Sequence, residues 1–269
     1  MSEPSSTAES RTPPPNRLSI GHLLAWLTLT AVEFAVHTNA LSGAANRWEL
    51  FEAIYGSEAA GAMLFLCRLG IVLEWCVLPF FALGLVGLLL WPWRAWKATG
   101  SFPRQPGHWL LIAVGAAASV EMLATLFYDT LLYDIEGEVL SSEALLFTMY
   151  ILRGLIALSP AVVLLIGLRR HAETRMWKTC LGLLSVGLVV RAATDFVTAV
   201  DVLRLLIIPQ WLTPLGGGTI LLALVLTGIA CVVDQRRSVP RDLFHGLGVI
   251  AAIALVFFRL IQWAIHMAV

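Results

Sequence analysis

Six of the seven long apolar stretches in this chain carry charged side chains within them, and the signs nearly balance. A charged group at bilayer depth costs roughly 2.5–3.5 kcal/mol on insertion scales. Glu33, Arg68, Glu74, Glu121, Arg153, Arg191, Asp195 and Arg259 are therefore expected to pair with one another or to line a wet cavity. The chain is 58% hydrophobic and 13% charged, against about 25% charged in a soluble domain. It reads as an all-α integral membrane protein, a bundle of seven transmembrane helices in contact with the lipid bilayer. Its 18 basic and 18 acidic residues cancel, which removes the electrostatic case for a nucleic-acid partner.

A spanning helix needs about 20 mostly apolar residues. The runs that qualify are Leu18 to Ala40, Ala59 to Leu90, Gly107 to Tyr128, Ala144 to Leu168, Thr179 to Ala199, Leu215 to Val233 and Leu243 to His266. The second is too long for one straight crossing and contains Pro79, which predicts a kink and an extension beyond the hydrocarbon. Residues 1–17, rich in Ser, Pro and Glu, are expected to form a disordered cytoplasmic tail ahead of a seven-helix domain over 18–269. Small residues after the first run imitate a signal-peptide cleavage site. Glu33 and His37 inside the run, and its length, favour an uncleaved anchor.

Positive charge is retained on the cytoplasmic side of a membrane. With the N-terminus inside, the cytoplasmic segments hold twelve Lys and Arg residues: Arg11, Arg17, Arg94, Lys97, Arg104, Arg169, Arg170, Arg175, Lys178, Arg236, Arg237 and Arg241. The opposite face holds two, Arg47 and Arg204. This bias predicts an external C-terminus, and the location expected is a bacterial inner membrane. The outer loops are acidic, with Glu49, Glu52, Glu58, Asp134, Glu136, Glu138 and Glu143. Trp91, Trp93, Trp96, Trp109 and Trp177 are expected at the inner interface and Trp48, Trp211 and Trp263 at the outer, where amphipathic rings settle.

A weak repeat runs through the odd-numbered helices. Val32-Glu33, Val120-Glu121 and Val190-Arg191 match in depth, and Phe258-Arg259 follows in the seventh; Arg68-Leu69-Gly70-Ile71 echoes Arg153-Gly154-Leu155-Ile156 in the even ones. The spacing fits duplication of a helical hairpin. All these charges fall at one level in the outer half of the bilayer, a single polar layer. Arg68 and Arg153 are expected to approach a carboxylate there, Glu33, Glu74 or Glu121.

Trp26, Thr30, Glu33 and His37 form one stripe on the first helix, and Glu33 and His37 are one turn apart, as a proton relay or cation site requires. The third helix presents Ala117, Ala118, Glu121, Thr125, Tyr128 and Asp129 on one side; Arg191 and Asp195 can pair within the fifth; Arg259, Gln262 or Trp263, and His266 share a face of the seventh. Pro209, Pro214 and Gly216 to Gly218 are expected to interrupt the approach to the sixth helix, and the stretch Val202 to Trp211 to lie in the interface as a lid or a loop.

Cys67, Cys76, Cys180 and Cys231 fall in apolar runs without metal-ligand spacing and read as small buried hydrophobes. No metal or cofactor is predicted: the lysines sit at the cytoplasmic boundary, wrong for retinal, and His22, His108, His171 and His245 lie near inner helix ends, wrong for haem. No P-loop, GxSxG or HExxH motif is present. The leading expectation is an outward-facing intramembrane site for a small polar or ionic solute, transporter-like or receptor-like, built from Glu33, His37, Arg68, Glu121, Arg153, Arg191 and Arg259. Two alternatives stand beside it. One is a membrane-embedded enzyme on a lipid-linked or periplasmic substrate, with Glu33 or Glu121 as base and arginines on phosphate. The other is a non-catalytic subunit of a membrane complex whose charges set helix register.

Overall fold

The computed structural model describes residues 19–45, 57–97, 102–133, 142–171, 174–202 and 212–268. They form seven α-helices: α1 (Ile20–Ala45), α2 (Ser57–Lys97), α3 (Pro106–Tyr133), α4 (Ser142–His171), α5 (Arg175–Val202), α6 (Leu212–Arg236) and α7 (Leu243–Ala268). Each predicted run has its helix, and all seven are long and apolar enough to cross a membrane. A helix is the economical answer for such sequences, because lipid offers backbone groups no hydrogen bonds. The predicted tail, and the stretch before the sixth helix apart from Val202, lie outside the described residues, as do the side chains of Arg68 and Glu74.

Packed pairs fix the directions. Trp26 on α1 donates its indole N–H to the Pro79 carbonyl on α2 at 2.8 Å, while Phe34 meets the ring of Trp75, so α1 and α2 are antiparallel. Gly84 faces Gly115 across α2 and α3, and Gly87 faces Leu111, again antiparallel. Gly107 lies against Gly248 and Glu121 against Arg259, which makes α3 and α7 parallel. Gly154 sits under the Phe196 ring, joining α4 to α5; Gly187 meets Gly216 and Ile220, joining α5 to α6. Helix α3 is the centre, packed on α1, α2, α4 and α7, while α5 carries α6 at the edge. Odd helices thus start at one end of the bundle, the end that holds His22, His108 and His245, called here the histidine end.

Three expectations change. The sixth helix is not interrupted near Pro214 and Gly216 to Gly218; α6 starts at Leu212 and runs through them. Pro214 falls in the first turn, where a missing N–H costs nothing, and Gly216 admits the backbone of α5 at Gly187. Trp109 and Trp177, in the first turns of α3 and α5, do not face outward as rings of an interfacial belt would but are fully buried between helices: Trp109 covers Gly167 of α4 and Trp177 reaches α6. Of the cysteines, Cys180 is buried but Cys76 is exposed on the apolar surface. Helix α2 is continuous for 41 residues through Pro79 and Pro92, about 60 Å at 1.5 Å per residue, so it does extend past a hydrocarbon core about 30 Å thick.

The α3–α7 crossing brings the two backbones into contact at glycine. A methyl group on Gly248 would be driven into the Gly107 carbonyl, and one on Gly107 into the backbone of His245. Gly217 and Gly228 on α6 face open space. Gly248→Ala is expected to lower the thermal midpoint in detergent by many degrees or to abolish accumulation. Gly228→Ala should leave the midpoint unchanged or raise it slightly, since alanine favours helix by about 1 kcal/mol.

Candidate functional site

The polar residues gather at two levels. At the histidine end, α1, α3 and α7 open on the same local pattern, a cap residue followed three positions later by histidine: Ser19 and His22, Gln105 and His108, Asp242 and His245. The His22 and His108 rings take the place of the glutamate of a capping box, receiving free backbone N–H groups on Nδ1. Ser19 N–H donates to His22 Nδ1 at 3.1 Å and His22 N–H returns to Ser19 Oγ at 3.3 Å. Arg104 and Gln105 N–H donate to His108 Nδ1 at 3.3 and 3.4 Å. With Nδ1 so occupied, His108 donates from Nε2 to Asp242 Oδ1 at 2.7 Å.

Helices α3 and α7 also cap each other. Gly107 N–H donates to His245 Nδ1 at 3.0 Å, Asp242 N–H to Gln105 Oε1 at 3.1 Å, and His245 N–H to Asp242 Oδ1 at 2.9 Å. A second carboxylate ties in α5 and α6: Asp234 Oδ2 accepts from Trp177 Nε1 at 2.9 Å and from Arg241 Nε and Nη2 at 3.0 and 2.7 Å. Phe102 and Phe244 pack between the rings of His108 and His22, and Trp177 stands edge-on to His245. His108, His245, Asp234 and Trp177 are all buried. This cluster is saturated with internal bonds and serves to fasten helices. Sequence reasoning missed it because histidines near helix ends were weighed only as haem ligands; the repeated cap-x-x-His was the available signal.

The second level is the charged layer. From Gly107 to Glu121, Trp177 to Arg191 and His245 to Arg259 is 14 residues in each case, about 21 Å along a helix, so the three charges stand at one height. Laterally they divide into two groups. In the first, Arg259 Nη2 donates to Glu121 Oε1 across α3 and α7, and Glu33 on α1 is close enough to feel the charge of Glu121. Glu33 and His37 are the two fully buried positions of α1 among its described residues. The helix turns its ionisable stripe inward and its leucines outward. His37 Nδ1 lies 3.0 Å from the Glu33 carbonyl oxygen and 3.6 Å from its carboxylate. Neither carboxylate oxygen of Glu33 has a hydrogen-bond partner among the described residues.

In the second group, on α4 and α5, Arg191 Nε donates to Asp195 Oδ2 at 3.1 Å, the intrahelical pair the spacing predicted. Arg153 acts electrostatically on the same carboxylate. It does not reach Glu33 or Glu121: it is exposed, its guanidinium 5.7 Å from the Tyr150 ring centroid, with no carboxylate at ion-pair distance among the described residues. The expected seven-residue site therefore narrows. Glu33, His37, Glu121 and Arg259 come together; Arg153 and Arg191 belong elsewhere; Arg68 lies outside the described side chains. Of the seventh-helix face, Gln262, Trp263 and His266 are likewise outside them. Among the described residues no group of His, Cys, Asp and Glu is arranged to hold a metal ion.

The fold and these levels define an all-helical polytopic membrane protein with polar groups inside the bundle. No protein family matches the chain, and neither a curated protein nor a solved structure matches it.

Removing the Asp234 carboxylate should show what the fastening is worth. Asp234→Ala strands the Trp177 indole N–H and removes two bonds of Arg241, at an expected cost of about 1–3 kcal/mol for buried polar groups left unmet. Asp234→Asn keeps an acceptor and should cost less. Thermal unfolding in detergent, followed by tryptophan fluorescence, measures both.

Proposed function

We propose that this chain is a solute-binding membrane protein of the transporter or receptor kind, with its site at Glu33, His37, Glu121 and Arg259. The observation that carries the reading is Glu33. A sealed carboxyl group with neither oxygen hydrogen-bonded among the described residues costs several kcal/mol if ionised, and Arg259 is engaged by Glu121. The positive charge that Glu33 needs comes from a proton or from a bound small cation, and His37, one turn along, stands ready to exchange that proton. A purely structural carboxylate would be expected to hold an arginine, as Glu121 does.

On this reading the histidine end is cytoplasmic, the site lies in the outer half of a bacterial inner membrane, and the C-terminus is external. The basic bias of twelve to two supports that direction, as do Arg169, Arg170, Arg175, Lys178, Arg236 and Arg237, all exposed at the histidine end. A C-terminal alkaline phosphatase fusion is expected to be active; an inactive one, with a cytoplasmic reporter active at the same position, reverses the orientation.

Ligand binding is tested on the purified protein in detergent by thermal unfolding against sodium, potassium, ammonium, choline and arginine. At least one probe is expected to raise the midpoint of the parent and to leave Glu33→Gln unmoved. The variant itself should fold within about 1 kcal/mol of the parent, because the substitution strands no arginine. A Glu33→Gln protein that keeps the response, or a parent that answers to none of these cations, refutes the binding reading. Severe destabilisation of Glu33→Gln would favour the structural role.

A further inference from the structure

Glu33 sets how much charge its site can take. Glu121 is met by Arg259, while neither Glu33 oxygen has a hydrogen bond among the described residues, so Glu33 offers one negative charge. A calcium ion asks for about six to eight oxygen ligands, and the described residues gather no such group. One proton or one monovalent cation is enough for a single carboxylate. Both need the same oxygen lone pairs, so the arrival of one expels the other. Without a cation, the sealed carboxyl keeps the proton. The charged groups that face Glu33 are His37 on its own helix and Glu121 of α3, with Arg259 of α7 bound to Glu121; Arg68 and Glu74 of α2 lie outside the described side chains.

His37 gives the proton a route. Its Nδ1 lies 3.0 Å from the Glu33 carbonyl oxygen. A carbonyl only accepts, so Nδ1 carries the ring proton and Nε2 keeps the lone pair. The same Nδ1 is 3.6 Å from Glu33 Oε2, a gap that a small turn of the carboxyl group closes. His37 stands one turn, about 6 Å, nearer than Glu33 to the end of α1 at Ala45, and it keeps 5% exposure where Glu33 has 0%. A proton that bonds to Nε2 makes an imidazolium; the Nδ1–H bond then breaks as Oε2–H forms, and a neutral ring protonated on Nε2 remains. Cation binding reverses these steps. Oε2 returns its proton to Nδ1, Nε2 releases its own to water, and the cation takes the carboxylate. One proton leaves for each cation bound, and the ring regains the tautomer that the carbonyl requires.

We infer, resting on the proposed binding of a cation at Glu33, that a proton and a monovalent cation occupy this carboxylate in turn, one for one, and that His37 carries the proton. Such an exchange is the chemistry that couples a cation gradient to a proton gradient.

Purified protein in lightly buffered detergent at neutral pH is mixed with sodium, potassium, ammonium, choline or arginine chloride, each brought to the same pH, while a soluble pH dye is read. The cation that raises the thermal midpoint of the parent is expected to release about one proton per cation bound, and its apparent affinity should fall by up to about tenfold per unit of acidification. Infrared difference spectra on cation addition should show loss of a protonated carboxyl band in the parent. Glu33→Gln should show neither the release nor the band. His37→Gln should slow the release at least about tenfold, and added imidazole should restore the rate, which a merely structural histidine would not allow. Stabilisation by a cation with no proton released, or with an affinity indifferent to pH, overturns the exchange and leaves cation binding standing. A parent that answers to none of these cations overturns both. Release as fast in His37→Gln as in the parent overturns the histidine route. The dye and infrared measurements on the parent alone decide the exchange even where a variant fails to accumulate.

Discussion

The start of a transmembrane helix leaves backbone N–H groups unpaired just where water gives way to lipid, and the architecture follows from how α3 and α7 meet that demand. Each supplies the acceptors the other lacks: His245 takes the Gly107 N–H, Gln105 takes the Asp242 N–H, and Asp242 holds His108 while capping its own helix. Such reciprocity requires the two backbones to touch, which only glycine at positions 107 and 248 permits. Once the two starts are in register, equal helix lengths deliver Glu121 and Arg259 to the same height 14 residues later. The ion pair at one level is a geometric product of the caps at the other.

The same reasoning separates the charges by task. Glu121 and Arg259 neutralise each other between the central helix and α7; Arg191 and Asp195 do so within α5. Glu33 holds no arginine among the described residues: it is sealed inside the bundle with His37 one turn along, and its carboxylate oxygens have no hydrogen bond there. A buried acid with no arginine on it among the described residues calls for an occupant, and this underlies the binding proposal.

Much of the fold was legible because its signal is crude and repeated. Seven apolar runs map onto seven helices, and the stripe of Trp26, Thr30, Glu33 and His37 turns inward as its spacing implied. The shared depth of Glu33, Glu121 and Arg259 was readable from register alone. Lateral neighbourhood was not, since helix phase says which residues share a face and nothing about which helix that face meets. Glu33 and Glu121 therefore look like partners for Arg153, which stands away from both on the α4 side of the bundle. Tryptophan near a helix start suggests an outward-facing interfacial ring, but glycine and aspartate partners far away in sequence, Gly167 and Asp234, turn Trp109 and Trp177 inward between helices. The break expected around Gly216 to Gly218 failed similarly: glycine there serves contact with α5, and the helix survives because its own hydrogen bonds are the sole ones lipid allows.

Chain order gives the α3–α7 junction a temporal meaning. The α3 start is synthesised more than 130 residues before His245 and Asp242 exist to complete it. Until α7 is inserted, the Gly107 N–H and the Nε2–H of His108 lack the partners they have in the finished bundle, and the charge of Arg259 has not arrived to neutralise Glu121. Chains cut short within or after α6 thus carry an open helix start on the central helix and an uncompensated acid in its span. Helix α7 thus closes the open start of α3 and neutralises the acid in its span in one step.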